Sequence, residues 1–264
     1  METIALSAAP PRALAPMSNG RVLRAYLEEA RAECLRYLRS PSFMLPTLLF
    51  PLVFYTMFGV VLGQRGNPDA PRFLLAAYGT FGVMAPGLFG FGMSLALERD
   101  NGLLTLKRAL PMPPAAYLLG KMAMAMLVAA IIIVLLLALA VFAGHVRLEP
   151  AQIARLFVAD VLGVLPFCAM GLLLGTLVKG HGAPAVVNLL YLPMAFLSGL
   201  WFPLSVLPKF LQQLAPMWPS YHLNALSQSA VGFDTGPGWP HALILLGFTA
   251  GFLLLAARRL RRYG

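Results

Sequence analysis

Few side chains in this chain could do chemistry, and their spacing excludes most of it. Among ten acidic residues, Asp160 alone falls deep inside an apolar stretch. A carboxylate at such a depth either lines a transport path or is structural, paired with a base such as Arg155 or solvated near an interface. The structural reading is the expected one. The four histidines, His145, His181, His222 and His241, fall in loops or at the ends of apolar stretches. Each is expected as a surface imidazole, with no metal site. There is no HExxH or DxxxD cluster and no pair of carboxylates on one helix face, so neither metal-assisted hydrolysis nor general acid–base chemistry is indicated. The pair Gly120-Lys121 is the nearest approach to a nucleotide-binding loop. Met122 follows it and Ala115 stands where a glycine is needed, so the phosphate cradle and the magnesium-binding hydroxyl are both missing. The chain is not expected to bind ATP or to catalyse any covalent step.

The elements around these residues are those of a membrane protein. The chain has 264 residues, 59% of them hydrophobic and 11% charged, with a mean hydropathy of +0.76. A water-facing surface cannot be covered with so few charges, since soluble domains carry about 25%. The apolar stretches predict six spans, over about 43–63, 73–97, 117–143, 153–178, 183–203 and 241–257. Each is long enough to cross ~30 Å of hydrocarbon at ~1.5 Å per residue. The reading is therefore an all-α membrane protein forming a single transmembrane domain over 21–264, behind a disordered tail at 1–20. The net charge of +10 points to anionic lipid rather than nucleic acid, because the basic residues flank apolar spans. Cys34 and Cys168 fall at different depths, which argues against a disulfide.

Before the first span, residues 21–39 form an amphipathic pattern. Leu23, Tyr26, Leu27, Ala30, Cys34, Tyr37 and Leu38 share a stripe, with Arg21, Arg24, Glu28, Arg31 and Arg36 off it. This predicts a basic helix lying in the membrane interface. Between the fifth and sixth spans, residues 204–240 carry short apolar pieces broken by Pro208, Pro216 and Pro219. They are too short to cross and are read as re-entrant or external helices. With the N-terminus inside, only Arg65, Arg72, Arg147, Arg155 and Lys209 fall outside. Fifteen of the twenty basic residues are then inside, and both termini are expected in the cytoplasm.

The segment joining the second and third spans, ERDNGLLTLKRALPMPPAAYLLGK over 98–121, is the informative one. Asp100 and Asn101 can cap a short helix; Leu103, Leu106 and Leu110 share one of its faces; Pro111 ends it. A short helix of both charge signs with an apolar stripe, pinned between two spans, is suited to press into a groove on a cytoplasmic partner.

Here the chain resembles the membrane subunits of type-2 ABC exporters. The matching residues are Glu98-Arg99-Asp100, Gly102, the apolar run Leu103 to Leu106, Pro111 and Gly120-Lys121, with aspartate where the family usually has a second glutamate. A second resemblance covers FLSGLWFPLSVLPKFLQQLAPMWPSYHLNAL, residues 196–226. The resemblance implies a permease subunit working with a separate ABC ATPase that binds the ATP and Mg²⁺, so this chain would hold no cofactor. Glu98, Arg99, Asp100, Gly102, Leu103, Leu106 and Leu110 would couple to that ATPase. It further implies a second permease chain, a homodimer being the expectation, in the cytoplasmic (inner) membrane. The path would be lined by the second and fifth spans, through Tyr78, Phe81, Met84 and Phe89, then Asn188, Tyr191, Ala195 and Ser198. The last four also keep the spacing of a face that merely packs against another helix. The competing reading is a self-contained channel or ion-coupled transporter, for which in-span ionisable residues and an internal repeat are wanting.

Overall fold

A computed structural model describes residues 18–63, 67–109 and 113–263. Most of the expected tail, together with Leu110 and Pro111, lies outside the described residues. Six helices among those described are long and apolar enough to cross a membrane: Pro41–Leu62, Ala70–Asp100, Ala115–Phe142, Pro150–Leu177, Gly180–Leu197 and Gly238–Arg259. They are the six expected spans, and the chain is a multi-pass helical membrane protein. An N-terminal helix, Asn19–Leu38, precedes them. A short helix, Leu103–Ala109, joins the second span to the third. Helices Lys209–Leu214 and Pro219–Ala230 lie between the fifth and the sixth.

The second span is the axis of the fold. It is the most buried of the six and packs against the first, third and fourth spans and the Pro219–Ala230 helix. Its small residues permit this. A Cβ on Gly92 would lie 2.8 Å from the Gly171 carbonyl oxygen, and one on Gly171 2.6 Å from that of Gly87. The second and fourth spans therefore cross backbone to backbone, as helices do in lipid where small residues meet. After Pro86, whose ring leaves the helix one N–H short, the span widens into a π-helical stretch, Leu88–Met93. The regular helix of the fourth span is interrupted at Val164, two residues before Pro166.

The fifth span is shorter than expected. It stops at Leu197 rather than near 203, because Gly199 takes a left-handed φ of +74° and Pro203 follows. Ser198 thus lies just past the helix end, where its hydroxyl is 2.5 Å from that of Ser220.

The segment after it is more buried than a surface loop. Pro219–Ala230 sits among the second, fourth and sixth spans, with Leu223 and Ser227 fully buried. One histidine expectation fails here. His222 is buried, its Nδ1 2.8 Å from Nδ1 of His241 and its Nε2 2.9 Å from the Pro216 carbonyl. Nineteen residues of sequence separate the two rings, and only the packing of their helices brings them together. Asp160 is also placed differently from either alternative considered for its structural role. It is fully buried, and the Ser227 hydroxyl donates to its Oδ1 at 2.7 Å. Arg155 is exposed and does not pair with it. Residues 155 and 160 lie more than one helical turn apart on different faces of the fourth span.

Candidate functional site

At one end of the bundle, four elements meet over a buried ionic network. Lys121, at the start of the third span, is 1% exposed. Its ammonium reaches Ser94 Oγ at 2.8 Å, Glu98 Oε1 at 2.9 Å and Glu33 Oε2 at 3.2 Å, which uses all three of its N–H donors. Glu98 also accepts from the Tyr117 hydroxyl at 2.7 Å and from Arg36 at 2.9 Å. Glu33 is bound by Arg36 and, at 2.8 Å, by Lys107 from the short connecting helix, which reaches Glu29 as well. Three acids therefore meet three bases, each buried charge finds partners of opposite sign, and the desolvation cost is met by coulombic attraction. Burial by itself would raise the Glu33 carboxyl. The charge of Lys121 and the hydrogen bonds from Lys107 and Arg36 outweigh it and bring the group down to about 2. Burial likewise opposes the Lys107 charge, but Glu29 and Glu33 prevail and raise it.

Glycine at 120 makes the network reachable. A Cβ there would stand 3.1 Å from Glu29 Cγ and 3.3 Å from the Ala30 nitrogen. Gly120-Lys121 thus works as a unit: the first residue lets the N-terminal helix come close, and the second supplies the charge that holds it.

The Glu98-Arg99-Asp100 motif points three ways. Glu98 turns inward and is 5% exposed, so within this chain its carboxylate is not a surface contact. Arg99 donates to the carbonyls of Gly175, Thr176 and Val178 at 3.2, 3.1 and 2.8 Å, satisfying orphan acceptors at the end of the fourth span. The Gly180 backbone N–H donates to Asp100 Oδ2 at 2.6 Å, at the start of the fifth. Gly102 has a φ of +73°, a conformation that glycine adopts without strain, and it turns the chain into Leu103–Ala109. On that helix Leu103 is 40% and Leu106 65% exposed, an apolar pair facing away from the bundle.

The sequence pattern missed half of this network. Tyr26, Ala30, Cys34 and Tyr37 do turn toward the bundle, but Glu29 and Glu33 share their face, while Leu23 and Leu27 from the expected stripe are largely exposed. The detectable signal was two acids at i and i+4 between inward positions.

Beside the network, between the N-terminal helix and the first, second and fifth spans, lies a crevice of about 800 Å³. Phe43, Phe50, Phe89, Tyr191 and Trp201 form much of its wall, and Arg36, Glu98 and Lys121 stand at one end. Of the residues expected along a path, Asn188, Tyr191 and Phe89 line it. Tyr78, Phe81 and Met84 are instead fully enclosed in the core, as are Ala195 and Ser198. Their side chains fill the junction of the second span with its neighbours: the Phe81 ring lies 5.0 Å from Tyr191 and 6.0 Å from Trp201.

Residues 27–231, which include the ionic network, the connecting helix and the crevice, match the family described as ABC-2 type transporter. The chain belongs to that family. It is also 28% identical over 232 residues to "Putative transport permease YvfS" of Bacillus subtilis (strain 168), covering 87% of this chain and 94% of that protein. Family membership and the six spans together make it a transport permease. Against that background, the residues carrying the resemblance in 98–121 include polar ones that tie spans together, Glu98, Arg99, Asp100 and Lys121, and two exposed leucines, Leu103 and Leu106.

Proposed function

We propose that this permease is the translocating subunit of an ATP-driven exporter, moved by a separate ATPase that docks on Leu103–Ala109. The observation that carries this is the contrast on that helix. Leu103 and Leu106 are exposed, while Lys107 on the same helix is locked to Glu29 and Glu33. A push on the leucines passes through Lys107 to the N-terminal helix, and through the Gly102 turn to Glu98, Arg99 and Asp100, hence to the third, fourth and fifth spans. ATP and Mg²⁺ belong to the partner; this chain performs no covalent step. Free energy enters because the two nucleotide states of the partner contact the helix differently, as any ligand-driven switch requires. Glu98, Arg99, Asp100 and Gly102 act as transmitters, and Leu103 and Leu106 as the contact. Leu110 continues their face in the sequence.

Two copies of the permease, with two ATPases, form the working unit in the cytoplasmic membrane. The basic end, both termini included, faces the cytoplasm, in keeping with the positive-inside rule. The N-terminal helix lies along the lipid interface, with Leu35 and Leu38 partly exposed toward it. Substrate passes beside the fifth span, past Asn188 and Tyr191.

Affinity purification of the tagged chain from detergent tests this. Recovery of a P-loop ATPase in equal amount, lost in Leu106→Asp while the permease still purifies as a folded oligomer, is the expected result. A chain that purifies alone and moves solute in liposomes would overturn it in favour of a self-contained transporter.

A further inference from the structure

The crevice has a chemical polarity that narrows what it can hold. Its walls are aromatic and aliphatic along most of their length, and at the basic end it meets the ionic network. Glu33, Glu98 and Lys121 have side chains at most 6% exposed and fully engaged with one another, whereas the Arg36 side chain is 46% exposed. Arg36 places one N–H on Glu33 and one on Glu98. A guanidinium carries five donors, so three remain, and the group that bears them is the part of the network a ligand can reach. The other polar groups at that end, Ser40, Ser42 and Asn101, are neutral. A cavity of ~300–1,000 Å³ suits one drug-sized molecule, and this one, at about 800 Å³, is bordered by the first and fifth spans, both mostly exposed to whatever surrounds the bundle.

We infer that the crevice binds an amphipathic anion, with its phosphate- or carboxylate-type head on Arg36 and its apolar body against Phe50, Phe89, Tyr191 and Trp201. A cationic head would meet the Arg36 guanidinium at close range, while the Glu33 and Glu98 carboxylates beside it are buried and already held by Lys121 and Arg36, which disfavours it. An uncharged hydrocarbon would leave the Arg36 donors without a partner as it displaced their water. The head group can come from a bilayer lipid or from a solute entering at the basic end; the recognition chemistry is the same. The inference deepens the permease reading by naming the substrate class, but binding can be measured without any ATPase. Failure here therefore leaves the coupling reading untouched, and the reverse holds too.

The test uses the full chain in nanodiscs of zwitterionic lipid, with Trp218→Phe and Trp239→Phe so that Trp201 is the remaining tryptophan of the three. Quenching of Trp201 is followed on titration with a bromoalkyl phosphate and with the matched bromoalkyl trimethylammonium. Saturable quenching by the phosphate, at least tenfold tighter than by the ammonium, is expected. Arg36→Gln should abolish the preference. Because Arg36 also holds Glu33 and Glu98, Asn188→Phe, which adds bulk to the crevice wall away from the network, serves as the second variant and should weaken the phosphate at least tenfold. Equal quenching by both head groups, quenching that never saturates, or an unaltered affinity in Asn188→Phe overturns the inference. In nanodiscs carrying acyl-brominated anionic lipid, quenching with no added ligand identifies the bilayer as the source. Quenching that still awaits the soluble phosphate identifies a solute.

Discussion

The two ends of the bundle solve the same problem, holding polar groups in an apolar interior, by different chemistry. At the basic end the solution is ionic: three acids and three bases from the N-terminal helix, the connecting helix and the second and third spans. At the opposite end the hydrogen bonds around Asp160 come from neutral groups. There the Ser227 hydroxyl bonds Asp160, Thr80 donates to Ser227 at 3.3 Å, and the Gln228 amide donates to the Phe73 carbonyl at 3.0 Å. The ionic end joins two non-spanning helices to the second and third spans, and it holds them through charges that lose heavily if separated. The neutral end binds the Pro219–Ala230 helix with contacts that are individually weak and easily exchanged. Separating the elements of the first therefore costs more than separating those of the second.

This contrast can be broken most sharply at Lys121. Lys121→Met leaves Glu33 and Glu98 buried beside too little positive charge, and removal of one member of such a group costs about 3–5 kcal/mol. The expected outcome is a loss of folded protein, or a large fall in the unfolding midpoint in detergent. Adding Glu98→Gln to it should recover part of the loss, and no recovery would mean that the network is not the cause.

Acid should act on the same end. Glu33 sits at about 2 in the folded chain against a reference of ~4.3 for glutamate. A lowered carboxyl contributes stability that is complete above its unfolded value and lost as pH falls toward the folded one. Thermal unfolding followed between pH 5 and 2 should therefore show a progressive loss of stability, diminished in Glu33→Gln. An identical pH profile in that variant would remove Glu33 from the account.

Close approach at Gly120 comes next. Valine there forces the N-terminal helix away from the third span, and overpacking of this kind costs about 1–3 kcal/mol. The unfolding midpoint should fall, and the Lys107 contact to Glu29 should loosen, seen as faster hydrogen exchange in residues 103–109.

At the neutral end, Ser227→Ala should cost only about 0.5–1.5 kcal/mol, the usual net worth of one hydrogen bond. Asp160→Asn should match wild type within a similar margin. A loss as large as that of Lys121→Met would erase the distinction between the ends. Smallest of all is the expected effect of Leu106→Asp on stability, within about 0.5 kcal/mol as for exposed positions generally, although it should remove the partner.

The second-span glycines show how far patterns reach. That Ala70–Asp100 is a membrane helix is plain from composition; that Gly92 and Gly171 touch is not, because nothing local in either segment names the other. The same holds for His222 and His241, and for Asp160, which is distant in sequence from the Ser227 that bonds its Oδ1. Hydropathy gave the number and approximate positions of the spans because lipid imposes one demand on every residue of a span, and that demand is read along the chain. The Leu103–Leu106 face was also legible, being a local helix pattern bounded by Gly102 and proline. Which charges turn inward was decided only by tertiary structure. Glu33, Glu98 and Lys121 look like ordinary interfacial charges in the sequence, and they become a buried core only when the N-terminal helix, the second span and the third are packed together. Charge neutralisation is a property of that assembled set, carried by no segment alone.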